Sequence, residues 1–433
     1  MGYKFKLSRN FMFYAYLIVA FEILWILPVT TSAIYLFQAL LMLVTLVTFN
    51  YKKHSVIIIF IIFGILPGII VSATQSSYVN HYIVLPSTVI LMFICVILYK
   101  IYFNNGKIQK HASHITLIIL FGVYLGISII WADNTNMYNN SFYLSIMVYI
   151  CFPFLIDNKE ALKDIWLTFV ICGGLLSFHL LPMMLKNQNI YSINAIGNRN
   201  YLSLQFIICI MAIISYAIKY KDSLSSSVKV FLGLVSLILV YITMTFASRT
   251  SFLMITLFSL CLFIFFFCND IRKVVPLCIV MGIMVFILLN SDVLTHVFDR
   301  FGEESLATGS GRIILQTGYV SEFINETVLK QLFGRGAFQF KVQGAFSHNV
   351  YLQILIDYGL ILLVIYIVSI LRTLKEIHNS EYKILNIVLF VFLVNQVAIH
   401  AVVDNFAVSF LMFLVSCSNV VNNDRKEERK RIK

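Results

Sequence analysis

The chain has 433 residues, of which 60% are hydrophobic and 12% are charged, and its mean hydropathy is +0.89. This composition excludes a water-soluble globular protein and indicates a polytopic membrane protein. The net charge of +12 does not indicate nucleic-acid binding, because most of it comes from basic residues beside apolar segments and from the basic tail, residues 422–433.

Apolar segments of membrane-spanning length follow one another along the whole chain. A helix needs about 20 apolar residues to cross the hydrocarbon core, whereas barrel strands would alternate apolar and polar residues. The sequence therefore predicts an all-α bundle, a single integral membrane domain over residues 1–433. About 14 spans are predicted, or about 12 if two short hairpins do not cross, at 11–29, 32–50, 55–74, 83–103, 115–132, 141–156, 165–185, 201–218, 230–247, 251–268, 274–290, 350–371, 384–403 and 405–421.

The positions of lysine and arginine predict the orientation of the bundle, because basic residues near span ends are retained on the cytoplasmic side. With the N-terminus inside, most of the 32 basic residues lie inside. Both termini are therefore predicted to be cytoplasmic, and the loop of residues 291–349 is predicted to face outward. The basic residues on the outer side are Lys186, Arg199, Arg249, Arg300, Arg312, Lys330, Arg335 and Lys341.

Three of these outward arginines stand out by their sequence context. Arg249 lies in a connection so short that its guanidinium must be near the membrane surface, Arg199 lies at the outer mouth of the span predicted at 201–218, and Arg312 follows a glycine-rich stretch of the long loop. An arginine at this depth is costly unless it snorkels, is paired or lines a wet cavity. Each arginine also has a structural alternative: Arg249 could snorkel to the membrane interface, and Arg199 and Arg312 could be solvated loop residues. Because guanidinium groups match phosphate oxygens bidentately, the three together suggest a site for a phosphate-bearing, membrane-borne substrate.

His348 closes the long outer loop, immediately before a predicted span. Its ordinary pKa range suits proton transfer near neutrality, so it is a candidate catalytic base, although a hydrogen-bonded structural histidine remains the alternative. Asn349 is placed to cap the following helix, and Tyr351 belongs to the packing face of that helix.

Other kinds of site have no support in the sequence. The eight cysteines lie within or beside apolar segments without a CxxC pair, so neither a disulfide nor a zinc site is predicted. The nucleotide-binding glycine motifs and the HExxH motif of zinc proteases do not occur in the chain.

The order of four motifs resembles one family. Arg249 lies in a Ser-Arg-Thr turn, Arg312 follows Gly-Ser-Gly, Arg335 lies in a Phe-Gly-Arg-Gly sequence, and His348 opens His-Asn-x-Tyr-Leu-Gln, which runs on to Gly359. Over residues 195 to 370 this pattern is similar to the bacterial O-antigen ligase and Wzy-type O-antigen polymerase superfamily.

The resemblance implies a GT-C-like, inverting glycosyltransferase of the bacterial inner membrane that needs neither a metal nor another cofactor. Its donor would be a glycan on undecaprenyl pyrophosphate, and its site would face the periplasm. His348 would accept the proton of the acceptor or hold the pyrophosphate, and Arg249 and Arg312 would stabilise the leaving pyrophosphate. The implied substrate-binding residues are Arg199, Tyr201, Arg335, Asn349 and Tyr351. A chain-length regulator and a flippase of the same pathway are implied partners, together with membrane lipid and without nucleic acid.

Ligase and polymerase differ in the acceptor, which is lipid A core for one and a second lipid-linked repeat unit for the other. Three places after the glycine, where ligases often carry Gly, Thr or Tyr, this chain has Leu362, which favours the polymerase. Two readings from other classes stay open. One is a transporter or flippase whose arginines line a path for an anionic lipid, and the other is a membrane scaffold with structural arginines.

Overall fold

The computed structural model describes residues 112–132, 140–156, 158–186, 199–245, 248–269, 312–336, 347–398 and 405–432, with a few isolated positions between 272 and 282. The secondary structure of this part is helical throughout. The α-helices are α1 Ser113–Ile127, α2 Asn140–Leu155, α3 Lys159–Lys186, α4 Arg199–Lys219, α5 Ser226–Thr245, α6 Arg249–Asn269, α7 Arg312–Asn325, α8 Val328–Phe333, α9 Val350–His378, α10 Lys383–Asn395 and α11 Asn405–Ile432, and a short 3₁₀ turn, Ser128–Trp131, extends α1.

Six helices of the described part are long and apolar enough to cross a membrane: Ser113–Trp131, Lys159–Phe178, Ser226–Thr245, Arg249–Cys268, Val350–His378 and Phe406–Arg425. Shorter apolar helices occupy Phe142–Leu155, Ser203–Lys219 and Lys383–Asn395. The prediction of an all-helical membrane protein is confirmed for these residues. The predicted spans 11–29, 32–50, 55–74 and 83–103, and most of 274–290, lie outside the described residues.

The structure refines several predicted boundaries. The helix predicted at 384–403 ends at Asn395, where the chain turns and the Gln396 carbonyl accepts a hydrogen bond of 2.8 Å from the backbone N–H of Val350. The basic tail from residue 422 continues helix α11 as far as Ile432. Within the predicted loop 291–349, residues 312–333 form helices α7 and α8, so this part of the loop is ordered structure.

Helix α11 forms the centre of the bundle. In its most apolar stretch 89% of the residues are buried, against 28% in α6, which therefore lies at the periphery. Aromatic side chains of α3 pack on α11: the ring of Trp166 lies 5.7 Å from that of Phe413, and the ring of Phe169 lies 5.1 Å from that of Phe410. Such edge and tilted contacts are favourable beyond the area that they bury.

The bundle has two ends with different charged groups. At the first, which we name the lysine end, Lys159 and Lys219 both pair with Glu381, which lies in the turn between α9 and α10. At the second, which we name the arginine end, α9 begins beside His348, and α6 and α7 begin at Arg249 and Arg312. Helix α9 runs from one end to the other. Residues predicted to lie inside and outside are therefore separated in space.

Candidate functional site

Arg249 is the first residue of helix α6, and its neighbours prepare the helix start. The Ser248 hydroxyl accepts a hydrogen bond of 3.4 Å from the backbone N–H of Ser251, as an N-cap does. Ser248, Thr250 and Ser251 are buried, whereas Arg249 is partly exposed. The Ser-Arg-Thr-Ser sequence thus caps a membrane helix and leaves its arginine at the mouth of the bundle.

Arg312 comes from a distant part of the chain but lies beside the same helix start. Its Nη1 atom lies 3.5 Å from the hydroxyl of Thr250, within donating distance. Burial, and then the positive charge of Arg249, lower the pKa of the Arg312 guanidinium from its ordinary value. The two arginines are therefore close enough to repel each other, and an anion between them would relieve the repulsion.

His348 is the third group of the cluster. Burial, and then the charge of Arg312, lower the pKa of its imidazole. Both effects disfavour the imidazolium, so the ring is neutral at neutral pH and can accept a proton. Its backbone has a φ of 51°, in the left-handed region that a non-glycine residue adopts rarely. Such strain persists only where surrounding structure enforces it, and it is concentrated at functional sites.

A buried polar network enforces this backbone conformation. The Asn349 side chain accepts hydrogen bonds from the backbone N–H groups of Tyr351 and Leu352, at 3.0 and 3.2 Å, and so caps α9 as the sequence predicts. The Ser347 hydroxyl donates to the Asn349 carbonyl at 2.8 Å. These hydrogen bonds fix the residues on both sides of His348. The backbone of His348 is therefore held in the loop, immediately before the helix begins.

Tyr319 of α7 joins the network from the opposite side. Its fully buried hydroxyl is hydrogen-bonded to the side chain of Gln353 and to the backbone of Ser347, and burial followed by the charge of Asp357 raises its pKa. Gln353 in turn donates to Asp357 at 2.8 Å. Helix α7, which carries Arg312, and the loop that carries His348 are therefore locked together by buried hydrogen bonds.

Glycines bring α8 against α9 at a break in the longer helix. Gly359 has a φ of 83° inside α9, and a Cβ there would lie 2.2 Å from the Leu332 carbonyl oxygen. A Cβ on Gly334, whose φ is 77°, would lie 2.3 Å from the Asp357 carbonyl oxygen. The carbonyls freed by the break are satisfied, because the Ile356 and Asp357 oxygens accept hydrogen bonds from residues 335 and 336. The Phe-Gly-Arg-Gly motif is thus the part of the chain that docks onto this break.

The first turns of α6 and α7 are in contact through Thr250 and Arg312, and α9 begins two residues after His348. A helix N-terminus carries a partial positive charge that favours an anion. The first N–H groups of α9 are already satisfied by the Asn349 side chain and by the Gln396 carbonyl, so this helix contributes its dipole rather than free N–H donors. Two guanidinium groups and a neutral imidazole lie beside these helix starts. The arrangement is suited to bind a phosphate or pyrophosphate group and to accept a proton next to it.

The other predicted site residues have different surroundings. Arg335 forms ion pairs with Glu322, at 3.1 Å, and with Glu326. The Tyr351 hydroxyl donates to the Leu393 carbonyl at 3.0 Å, and Asn349 uses its oxygen as the cap. Arg199 begins α4 at the arginine end, but the side chains of Arg199 and Tyr201 lie outside the described residues. Their predicted substrate contacts stay predictions.

Sequence reasoning missed the residues that hold the site together. Tyr319, Gln353 and Asp357 are chemically ordinary in the sequence, although the spacing of four between Gln353 and Asp357 does place them on one helix face. Tyr319 gives no such signal, because its partners are distant in the chain. Thr250 was noted only as part of the Ser-Arg-Thr turn.

A pocket of about 510 Å³ lies at the lysine end and competes with this cluster as a candidate site. Two of its three lysines are already matched by a carboxylate, because Glu381 pairs with Lys219 at 2.7 Å and with Lys159 at 2.9 Å. The third, Lys163, lies over the ring of Tyr220 at 4.9 Å from its centroid. The hydrogen bond from Lys219, and then that from Lys159, lower the pKa of Glu381. The pocket therefore has mixed charge and lacks the concentration of positive charge that marks the arginine end.

Comparisons with protein-family models, with curated proteins and with solved structures find no match to this chain. In the described part of the chain, no group of three or more His, Cys, Asp or Glu side chains is arranged to hold a metal ion. The geometry of the arginine end and the motifs of the sequence are therefore the observations that bear on function.

Proposed function

We propose that the protein is a membrane glycosyltransferase that joins surface-polysaccharide repeat units, taking its donor glycan from undecaprenyl pyrophosphate. The observation that carries the proposal is the convergence of Arg249, Arg312 and His348 at one end of the bundle. A lipid-linked pyrophosphate has two properties that suit this cluster, a negative charge and an isoprenoid tail that confines it to the membrane.

The proposed reaction is a single displacement. An acceptor hydroxyl attacks the anomeric carbon of the donor glycan, a new C–O bond forms, and the bond to the pyrophosphate oxygen breaks with inversion. The hydroxyl proton passes to the neutral imidazole of His348, and the electron pair leaves with undecaprenyl pyrophosphate. Arg249 and Arg312 stabilise the charge that develops on the leaving group.

Under this proposal the arginine end faces the periplasm, and the lysine end and both termini face the cytoplasm, in agreement with the positive-inside rule. The complete chain would be a GT-C-like bundle of about 12 to 14 spans in the bacterial inner membrane. Membrane lipid, a flippase that delivers the donor and a chain-length regulator are the proposed partners.

Substrate contacts beyond the pyrophosphate are proposed from the resemblance of the sequence motifs. Arg199 at the start of α4 is a further phosphate contact, and Tyr201 and Tyr351 contact sugar rings. Asn349 contributes through its amide nitrogen, since its oxygen is used by the cap. Arg335 contacts substrate only if it leaves Glu322 and Glu326, so its main role in this proposal is to hold α7 against α8.

The alternative is an O-antigen ligase, which shares the same machinery and passes finished glycan to lipid A core. A gel of surface glycolipid separates the two functions. The gel compares three strains of the source organism: one with the gene deleted, one complemented by the wild-type gene, and one complemented by His348→Ala. Core that carries a single repeat, without a ladder, supports the polymerase. Bare core, with polymer stranded on the lipid carrier, supports the ligase. An unchanged ladder contradicts both and favours a transporter or a role in another glycan pathway.

A further inference from the structure

Helix α7 presents three different sectors around its axis. Successive residues are separated by about 100°, so Ile313, Val320 and Ile324 align in one stripe, together with the exposed Thr317, whose hydroxyl donates to the Ile313 carbonyl. These three apolar side chains are exposed, and that of Ile324 is 66% exposed. The exposed residues Ser321 and Asn325 lie on a second, polar sector, with Ile314 beside them in the first turn. Tyr319 defines the third sector, which is buried against the protein.

The apolar stripe runs along the length of α7 rather than at one end. From Ile313 to Ile324 it extends about 16 Å, whereas the whole helix of 14 residues is about 21 Å long, too short to cross about 30 Å of hydrocarbon. An apolar stripe along the side of a short amphipathic helix is typical of a helix that lies in the plane of a membrane interface.

Helix α8 continues this apolar surface towards the membrane-spanning helices. Val328, Leu329 and Phe333 are exposed on α8. The Phe333 carbonyl accepts a hydrogen bond of 2.7 Å from the hydroxyl of Tyr124 on α1, and the next residue packs on α9. The spans that contact α8, which are α1 and α9, also expose large apolar residues. On α1 and the 3₁₀ turn that extends it these are Ile127 and Ile130, and on α9 they are Leu360 and Ile361.

We infer that α7 and α8 form an interfacial element whose apolar stripe is inserted in the lipid leaflet at the arginine end. The occupant of the stripe is phospholipid acyl chain, because the surface is continuous with the outer faces of candidate membrane spans. The polar sector with Ser321 and Asn325 faces water, and the buried sector with Tyr319 holds the element on the bundle.

This placement has a consequence for the site. Arg312 begins α7 and lies in its buried sector, within 3.5 Å of Thr250, so an in-plane α7 holds the guanidinium at headgroup depth. The phosphates of a lipid-linked donor would lie at that same depth. This consequence rests on the proposed function, whereas the membrane placement of the stripe does not.

Tryptophan fluorescence tests the placement with neighbouring residues that face different sectors. Ile324→Trp and Asn325→Trp are each reconstituted in lipid nanodiscs with ordinary or acyl-chain-brominated phosphatidylcholine, and the emission of the parent, which has three tryptophans, is subtracted. The added emission at 324 is expected to be blue-shifted and mostly lost in brominated lipid. The added emission at 325 is expected to be red-shifted and mostly retained.

Equal quenching at the two positions, or retained emission at 324, would overturn the inference, and a stripe that binds another protein would give the second result. If Ile324→Trp does not accumulate, Val320→Trp with Ser321→Trp repeats the comparison one turn earlier, with the same expected contrast. The readout does not use catalysis, so failure of the membrane placement and failure of the proposed function are distinguishable.

Discussion

Basic side chains occupy both ends of the bundle, but their surroundings differ. At the lysine end, carboxylates neutralise the cations: Glu381 lies between Lys159 and Lys219, and Arg425 pairs with Glu376 at 2.8 Å. At the arginine end, Arg249 and Arg312 are held next to each other, and the second of them lowers the pKa of His348. Paired charges at a membrane boundary stabilise modestly and fix orientation, whereas a cluster of like charges that perturbs a neighbouring pKa is a candidate for a functional site.

The two ends also differ in the type of basic residue that they use. A lysine ammonium is a flexible point charge, and Lys219 also lies over the ring of Tyr382, at 4.3 Å from its centroid. Arginine offers a planar fork that matches two phosphate oxygens and keeps its charge when partly buried. The difference between the ends is consistent with the proposal, which gives the lysine end a structural role and the arginine end a chemical one.

The largest expected effect separates the two ends directly. His348→Ala and Arg249→Ala should each lower glycan transfer about 10²-fold to 10³-fold, because each removes a group that acts on the transition state. Lys219→Ala at the lysine end is the matched control and should leave the rate within about twofold, since its partner is a surface carboxylate. Transfer rates at equal protein abundance check this, and full activity of either arginine-end variant would remove the site assignment.

Gly359→Ala should disrupt the arginine end through its framework rather than its chemistry. A methyl group there would meet the Leu332 carbonyl oxygen at 2.2 Å, on a backbone with a φ of 83°. We expect a loss of about 3 kcal/mol in the free energy of unfolding, or failure to accumulate. Gly233→Ala on α5, where a Cβ meets open space, is the control and should be neutral or slightly stabilising. Thermal unfolding in detergent compares the two, and equal melting temperatures would contradict the proposed docking.

Arg249→Lys tests whether a positive charge alone, without the guanidinium geometry, supports glycan transfer at the arginine end. If the guanidinium binds two phosphate oxygens, the lysine variant should lose about tenfold in transfer rate, roughly 1.4 kcal/mol. The reverse substitution at the other end, Lys219→Arg, should have little effect, because a point charge and a fork both pair with Glu381. A fully active Arg249→Lys would restrict the role of this residue to electrostatic attraction.

The pH profile gives a smaller but more specific effect. His348 must be neutral to accept a proton, so activity should fall as the pH decreases through its pKa, which lies below the ordinary value of 6.5. Arg312→Gln removes one of the two causes of that lowering, so the acidic limb should move to higher pH while the maximum rate decreases. Lys159→Gln should leave the limb in place. A limb unmoved in Arg312→Gln would contradict the coupling of these two residues.

Glu381→Gln should have the smallest effect and should concern stability alone. It weakens two ion pairs, but the carboxylate is 51% exposed and solvent screens the interaction, so we expect a loss of about 1 kcal/mol or less. Denaturation in detergent measures the change, and the transfer rate should stay at the wild-type value. Loss of activity without loss of stability would place chemistry at the lysine end.

Much of this architecture could be predicted from the sequence, because burial in a membrane leaves a strong signal in hydropathy. The helices at 199–219, 249–269 and 350–378 follow the predicted spans closely. The cap at Asn349 was also accessible, since it depends on neighbouring residues and on the ordinary preference for Asn at helix starts.

The details of the site could not be predicted, because they depend on contacts between distant segments. Tyr319 contacts Gln353 and Ser347 only when α7 packs against α9, and no local sequence pattern predicts that contact. The ion pairs of Arg335 were likewise invisible, since a glutamate in an amphipathic helix resembles any solvated charge. The helices of the long loop could not be predicted from hydropathy, because α7 is amphipathic and its average hydrophobicity is low.

Transfer of glycan from a lipid-linked pyrophosphate at the arginine end can be tested with the purified protein. The protein is reconstituted in liposomes with undecaprenyl-pyrophosphate-linked repeat units as the only substrate, and polymer and released carrier are then detected. We expect a ladder with stoichiometric release of undecaprenyl pyrophosphate for the wild type, and neither product for His348→Ala. Polymer at the wild-type rate from His348→Ala would contradict the proposal.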